Sequence, residues 1–294
     1  MATVKFQSLV KRYGPRRGVD ALSLEVPEGS LYGFLGPNGA GKTTAIRVLM
    51  GLLRPTSGSA SIFGLDCWRD GARIKAEVGY VPGDLRLYPW LTGLSALRMF
   101  GRVRGRDLTG EGRRLAEEMD LDLGVAVRRM SRGTRQKLGL VLAMAHRPRL
   151  LILDEPTGGL DPLIQDRFRA RLKSLAAAGC TVFFSSHTLS EVDDLCDRVA
   201  ILREGRLVAE GTLTELRAKA GHEVLIRWRA GAGAIEGPAF LKLDVRTAEV
   251  WEGSVEGPVS RLVDWLASKP VADLEIGRPD LETLFRRYYG GGTP

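Results

Sequence analysis

Residues 4–26 alternate apolar and polar positions in the two-residue period of half-buried strands, and residues 30–35 (S-L-Y-G-F-L) predict a short buried strand. A Gly-rich turn follows. Residues 42–53 then predict an uninterrupted helix, apolar on most sides and therefore buried. Residues 90–147 are Arg-rich and helical in pattern, with no strand signal. Strands return at 150–153, 181–185 and 199–202, separated by helices; in the first of these helices Ile164, Phe168, Leu172 and Leu175 make one apolar face. Two capping boxes, Thr188 with Glu191 and Thr212 with Glu215, mark later helix starts.

Short apolar strands alternating with helices predict an α/β fold, a mostly parallel sheet interrupted by a helical insert. Near Ala220 and Gly221 the pattern changes. Strands at 223–229, 240–246 and 272–276 and helices at 259–268 and 279–289 predict a small C-terminal α+β domain. The expected domains are therefore 1–220, with its helical part at about 90–147, and 221–294.

Composition adds limits. With 44% hydrophobic and 27% charged residues over 294 positions, the chain is neither a disordered tail nor a small disulfide scaffold. Cys67, Cys180 and Cys196 are odd in number and lack metal-ligand spacing, so no disulfide and no zinc are expected. Apolar runs fall far short of the roughly 18 residues a spanning helix needs, and the N-terminus has no signal-peptide block, so a cytoplasmic protein is expected. The net charge of +8 is uneven: residues 94–147 hold 12 Lys/Arg against 6 Asp/Glu, and residues 221–294 hold 9 against 11. A local basic surface suits phosphate ligands, nucleic acid or an anionic membrane face; a solvated helical face accounts for it equally well.

The chemistry is concentrated in two places. Gly36-Pro37-Asn38-Gly39-Ala40-Gly41-Lys42-Thr43, continuing into Thr44, fits G-x-x-x-x-G-K-[ST] between a strand and a helix. Its glycines let backbone N–H groups wrap a phosphate chain at the positive end of the helix. Lys42 reaches the terminal phosphates, and the Thr43 hydroxyl suits Mg²⁺. Further on, Leu150-Leu151-Ile152-Leu153-Asp154-Glu155 is a buried strand ending in two carboxylates. Asp154 is placed to hold Mg²⁺ or its water shell, and Glu155 to polarise a water against a terminal phosphate.

In this order the motifs resemble the ATP-binding subunit of an ABC transporter over residues 1 to about 217. Tyr13 in K-R-Y-G matches the family's adenine-stacking aromatic. Met130-Ser131-Arg132-Gly133-Thr134-Arg135-Gln136-Lys137 aligns with the signature sequence, L-S-G-G-Q followed by x-Q-[RK]. Gly158-Gly159-Leu160-Asp161 corresponds to the D-loop, and Ser185-Ser186-His187 carries the switch histidine that contacts the γ-phosphate in the family. Plain alternatives stand beside these: Tyr13 as a surface aromatic, Ser131 as a helix cap, His187 as a loop histidine.

Two departures stand out. Where the family has Gln after Tyr80-Val81-Pro82, this chain has Gly83 and then Asp84, so that contact is missing or Asp84 replaces it. The signature carries Arg132 and Thr134 where Gly and Gln are usual. Neither change removes Lys42, Glu155 or His187, so hydrolysis is expected to survive, with coupling to the membrane partner more exposed to the change.

The resemblance implies an ATPase using ATP and Mg²⁺, with Glu155, His187 and Lys42 catalytic. The implied nucleotide contacts are Tyr13, residues 36–44, Ser131, Gly133 and Asp161, and the metal contacts Thr43 and Asp154. It implies a head-to-tail dimer, expected to be a homodimer, in which each phosphate loop faces the other copy's Ser131/Gly133 helix start. It also implies a separate membrane permease and a location on the inner face of the cell membrane, where the basic surface around Arg98, Arg102, Arg104 and Arg106 would meet partner or headgroups. Tyr80-Val81-Pro82-Gly83-Asp84-Leu85, Leu87-Tyr88-Pro89 and Thr92-Gly93, with Ser131-Arg132-Gly133 and the ending Pro279-Asp280-Leu281-Glu282 to Phe285 and Tyr288-Tyr289, resemble ABC-2 type exporters of antibiotic-like or drug-like compounds, although Leu281, Leu284, Phe285 and Tyr288 are also a plain packing stripe. A soluble ATPase acting on nucleic acid or the ribosome is the first rival. Only 47 residues separate Gly83 from Ser131, too few for a coiled-coil arm, and no nucleic-acid partner is expected. A partner that binds ATP without turnover, suggested by Gly83, is the second.

Overall fold

A computed structural model describes residues 2–277 apart from 230, 232–234 and 256; the helix expected at 279–289 and its stripe lie outside the described residues. The chain divides into two compact units, Met1–Glu210 and Gly211–Pro294.

In the first unit, β1 (Ala2–Tyr13) and β2 (Arg16–Pro27) form a hairpin, and β3 (Leu31–Leu35) is buried along its whole length. Helix α1 (Lys42–Leu49) ends at Met50, earlier than the apolar run suggests, because Gly51 takes a left-handed φ of 60° that turns the chain. Then come β4 (Ser57–Ile62), β5 (Leu65–Asp66), α2 (Gly71–Glu77) and β6 (Val78–Val81). The helical part holds α3 (Gly93–Arg104), α4 (Thr109–Glu118) and α5 (Arg132–Met144). After it come β7 (Leu150–Asp154), α6 (Pro162–Ala177), β8 (Thr181–Ser186), α7 (Leu189–Leu195), β9 (Arg198–Arg203) and β10 (Arg206–Thr212).

Two sheets are built from these strands. A six-stranded sheet runs β10-β9-β3-β8-β7-β6, and its β9, β3, β8, β7 and β6 pair in parallel. The residues of β3, β7 and β8 are buried on both faces, which is why β3 and β7 are nearly continuous apolar runs and β8 is centred on Val182, Phe183 and Phe184. The alternating strands β1 and β2 belong instead to an antiparallel sheet, β2-β1-β4-β5. Val4, Phe6, Leu22 and Leu24 from it share one core with Tyr32, Phe34, Ile46, Ile152 and Phe183. All of Ile164, Phe168, Leu172 and Leu175 are buried on α6. Cys67, Cys180 and Cys196 are buried and unpaired, and burial pushes the Cys67 thiol up to about 12 and the Cys180 thiol to about 11.

In the second unit, α8 (Leu213–Ala220) starts with a full capping box, as Thr212 and Glu215 predict. β11 (His222–Trp228), β12 (Leu241–Arg246), β13 (Val250–Val255) and β14 (Val271–Ile276) make an antiparallel sheet ordered β12-β13-β11-β14, and α9 (Val259–Leu266) follows β13 in the chain. Its core holds Trp228, Trp251 and Leu262, with the Trp228 and Trp251 rings edge to face at 4.9 Å. β13 is not among the strands the sequence predicts. Its Gly253 and Ser254 are buried because the sheet covers them on both sides in the ladder, not because they are apolar.

Candidate active site

The loop between β3 and α1 turns on glycines. Gly39 and Gly41 take φ values of 83° and 101°, and a Cβ on Gly41 would sit 2.3 Å from the Gly18 carbonyl oxygen. A Cβ on Gly36 would sit 2.7 Å from the Leu202 carbonyl. The loop is therefore pressed against its neighbours, and its backbone faces a cavity of about 210 Å³. Tyr13, Pro37, Asn38, Gly39, Ala40, Gly41, Lys42, Thr43, Thr44 and Glu155 all line this cavity.

Two further lining residues carry no motif signal: Arg17 and Gly18. A Cβ on Gly18 would lie 2.9 Å from both the Tyr13 ring and the Thr44 methyl, so glycine lets the ring of β1 approach the start of α1. Arg17 stands 3.6 Å from Asp20. The Tyr13 ring is 44% exposed, with the Lys11 ammonium 5.3 Å from its centroid. An aromatic face, an arginine and a glycine-rich backbone on one cavity suit a ligand with both a base and phosphates.

Lys42 is only 4% exposed. Its Nζ donates to the Gly36 carbonyl at 2.5 Å and the Pro37 carbonyl at 3.2 Å, and stands 3.4 Å from Glu155 Oε1. Burial lowers its pKa, and the Glu155 carboxylate opposes that shift. The other oxygen of Glu155, Oε2, is 3.2 Å from Nδ1 of His187, which is half exposed. Glu155 itself has φ of 49°, a left-handed conformation uncommon for a glutamate, and its N–H donates to the Ser185 carbonyl and to Ser185 Oγ, each at 3.2 Å. The strained turn at the end of β7 aims the carboxylate at the cavity.

Asp154 lies beneath, 1% exposed. Ser185 Oγ donates to its Oδ1 at 2.7 Å, whereas Oδ2 is buried with no hydrogen-bond partner among the described residues. A buried carboxylate oxygen left unpaired is costly unless a cation completes it. With Thr43 on the cavity that Glu155, the residue after Asp154, also lines, the donors are hard oxygens, which fit Mg²⁺. A Cβ at Gly83 would lie 3.5 Å from that same Oδ2. Asp84 does not stand in for the missing side chain: it is 68% exposed and paired with Arg86 at 2.8 Å.

Ser131, Gly133 and Asp161 do not line the cavity of their own chain. Ser131 caps α5, accepting the Thr134 N–H at 3.1 Å. A Cβ on Gly133 would be 2.2 Å from the Gly159 carbonyl oxygen, so the start of α5 packs directly on the loop that leads to Asp161. Asp161 caps α6, accepting the Ile164 N–H at 3.0 Å, and is 3.8 Å from Lys137. Gln136, buried, donates to the Pro156 carbonyl at 2.9 Å and so links α5 to the residue after Glu155. Of the basic cluster, Arg104 donates to the Ala76 carbonyl and Arg106 to the His146 carbonyl; Arg98, Arg102 and Arg106 line a separate surface cavity.

One prediction from the sequence fails. Thr188 makes no side-chain cap to α7. Its supposed partner Glu191 accepts instead from the Thr157 and Ser186 hydroxyls, because those buried donors lie within reach and the Thr188 N–H is already taken by Ser186 Oγ at 2.8 Å.

Comparison with known proteins agrees with this geometry. A family model described as ABC transporter matches residues 19–158. A daunorubicin resistance ATP-binding protein of Streptomyces coeruleorubidus is 35% identical, across 95% of this chain and 93% of its own. A bacitracin transport ATP-binding protein of Bacillus licheniformis is 39% identical, across 74% of this chain and 72% of its own. A solved structure of an ATP-binding subunit of an ABC transporter superposes with a TM-score of 0.69 at 30% identity, covering 74% of this chain and 92% of that one. With the phosphate loop and Glu155 on one cavity and His187 3.2 Å from Glu155, the chain belongs to the ABC transporter family, as one of its ATP-binding subunits.

Proposed function

We propose that this ATPase binds ATP with Mg²⁺ in the cavity between Tyr13 and the phosphate loop, and that its hydrolysis drives export of an antibiotic-like or drug-like compound through a separate membrane subunit. The observation that carries the chemistry is the Glu155 carboxylate, held between Lys42 at 3.4 Å and His187 at 3.2 Å beside an unpaired Asp154 oxygen. The names of relatives matched over most of the chain, resistance to daunorubicin and transport of bacitracin, support the export reading.

Tyr13 stacks on the base and the loop N–H groups hold the phosphates. Lys42 turns from the Gly36 and Pro37 carbonyls to the terminal phosphate oxygens, where its charge offsets the charge of the transition state. Glu155 orients a water in line with the γ-phosphorus and takes its proton as the water oxygen bonds phosphorus and the bond to the β-phosphate oxygen breaks. His187 holds the γ-phosphate on the far side of Glu155. Asp154 and Thr43 would hold Mg²⁺, which when bound supplies charge neutralisation across the phosphates.

Ser131, Gly133 and Asp161 lie outside their own chain's cavity, which supports a head-to-tail dimer in which they complete the partner's site, and we take that partner to be a second copy of this chain. Among the described residues no helix is long and apolar enough to cross a membrane. We place the dimer on the inner face of the cell membrane, docked on its permease.

Turnover measured against protein concentration tests this. It should rise faster than linearly and vanish in Glu155→Gln. Linear turnover that survives the substitution would overturn the reading.

A further inference from the structure

The carboxylate of Glu191 turns away from its own helix start and joins two loops. Its Oε1 accepts the Thr157 hydroxyl and its Oε2 the Ser186 hydroxyl, both at 2.6 Å. Thr157 follows Glu155 by two residues; Ser186 immediately precedes His187. Both hydroxyl residues are buried, at 7% and 1% exposure. Hydroxyl-to-carboxylate bonds of this length are charge-assisted and among the stronger ones in proteins. Ser186 Oγ also accepts the Thr188 N–H at 2.8 Å, so the same hydroxyl ties together the residues on either side of His187.

The sheet does not do this job. The β7–β8 ladder ends at the pair Asp154–Ser185, immediately before the two loops diverge. Beyond it, the Glu155 N–H still reaches Ser185, but the Glu191 bridge is what ties the segment after Glu155 to the segment that carries His187. The two side chains so held meet at 3.2 Å.

We propose that Glu191 is a positioning residue for ATP hydrolysis: by bridging Thr157 and Ser186 it sets the separation of Glu155 and His187, so that both reach the terminal phosphate together. This rests on Glu155 and His187 being the catalytic pair. Glu191 does not line the nucleotide cavity, so its loss acts on turnover and not on ATP binding. Misplacing a catalytic group by about 1 Å costs on the order of 100-fold.

The test is steady-state hydrolysis by the purified full chain, wild type against Glu191→Ala, with thermal melting and ATP binding measured alongside. The expected result is kcat lower by about 10- to 100-fold, with KM for ATP within about twofold. Glu191→Asp, too short to reach both hydroxyls, should behave like the Ala variant. Glu191→Gln keeps the length and one acceptor oxygen, should lose less, and replaces the Ala variant if that chain does not fold. The decisive readout is a double-mutant cycle: in a His187→Ala background the Glu191 substitution should cost nothing more. A kcat within twofold of wild type, or the same loss in both backgrounds, would overturn the proposal while leaving the site reading intact. A His187→Ala chain with wild-type turnover would overturn the site reading, and the proposal with it.

Discussion

Removing one hydroxyl, in Ser185→Ala, isolates the support beneath the metal-binding carboxylate. Ser185 is fully buried, and its Oγ donates to Asp154 Oδ1 at 2.7 Å. Asp154 Oδ2 already lacks a partner, so the substitution strips the last side-chain hydrogen bond from a carboxylate that is 1% exposed. The backbone of Glu155 suffers less, since its N–H keeps the Ser185 carbonyl. A buried hydrogen bond to a charged group contributes about 1.5–3 kcal/mol, so a loss of about 2 kcal/mol is expected. For a unit of this size that corresponds to a fall in melting temperature of roughly 4–8 °C. Thermal melting of the nucleotide-free chain measures it, with Ser59→Ala as the control: Ser59 Oγ makes an exposed bond to Gln7 at 3.2 Å, and its loss should cost under about 0.5 kcal/mol. Mg²⁺ should recover part of the loss for Ser185→Ala by pairing the freed oxygen. A Ser185→Ala chain that melts within about 1 °C of wild type would refute the argument that this carboxylate depends on its serine.

Three further predictions follow from the same contacts. Gly133→Ala puts a methyl 2.2 Å from the Gly159 carbonyl, so the loop to Asp161 must shift; stability should fall by about 1–3 kcal/mol while ATP binding to a single chain holds, as melting and nucleotide titration would show. Gly83→Gln places its Cβ 3.3 Å from the Asp154 carbonyl and 3.5 Å from Oδ2, close but tolerable, and its amide oxygen adds a hard donor beside Asp154; the Mg²⁺ concentration for half-maximal turnover should drop. His146, buried and with Arg104 nearby, has its pKa lowered from 6.5 to about 4, by desolvation first and Arg104 second. Because the unfolded chain binds the proton more readily, His146 contributes stability present above pH 6.5 and lost as pH falls toward 4, by up to about 3 kcal/mol. Denaturation across that range should be steeper in pH for wild type than for His146→Gln.

Much of this protein was readable from residue order alone. Hydrophobic periodicity marked β3 and β7, which are apolar almost throughout because both their faces are buried, and the Val182–Phe184 centre of β8, and it marked the buried face of α6 through Ile164, Phe168, Leu172 and Leu175. The phosphate loop was legible because its chemistry is local: backbone wrapping, the lysine and the hydroxyl come from consecutive residues. What depends on residues far apart in sequence was decided only by tertiary structure. Nothing in the composition of β13 distinguishes Gly253 and Ser254 from a turn; pairing with β11 and β12 buries them. Arg17 and Gly18 enter the cavity because the β1–β2 hairpin folds against α1. Glu191 fits a local capping pattern equally well on paper, yet in the fold the buried hydroxyls of Thr157 and Ser186 outcompete the helix start for its carboxylate. Local spacing determines which bonds a side chain can make; the fold, by choosing which donors are cut off from water, determines which bonds form.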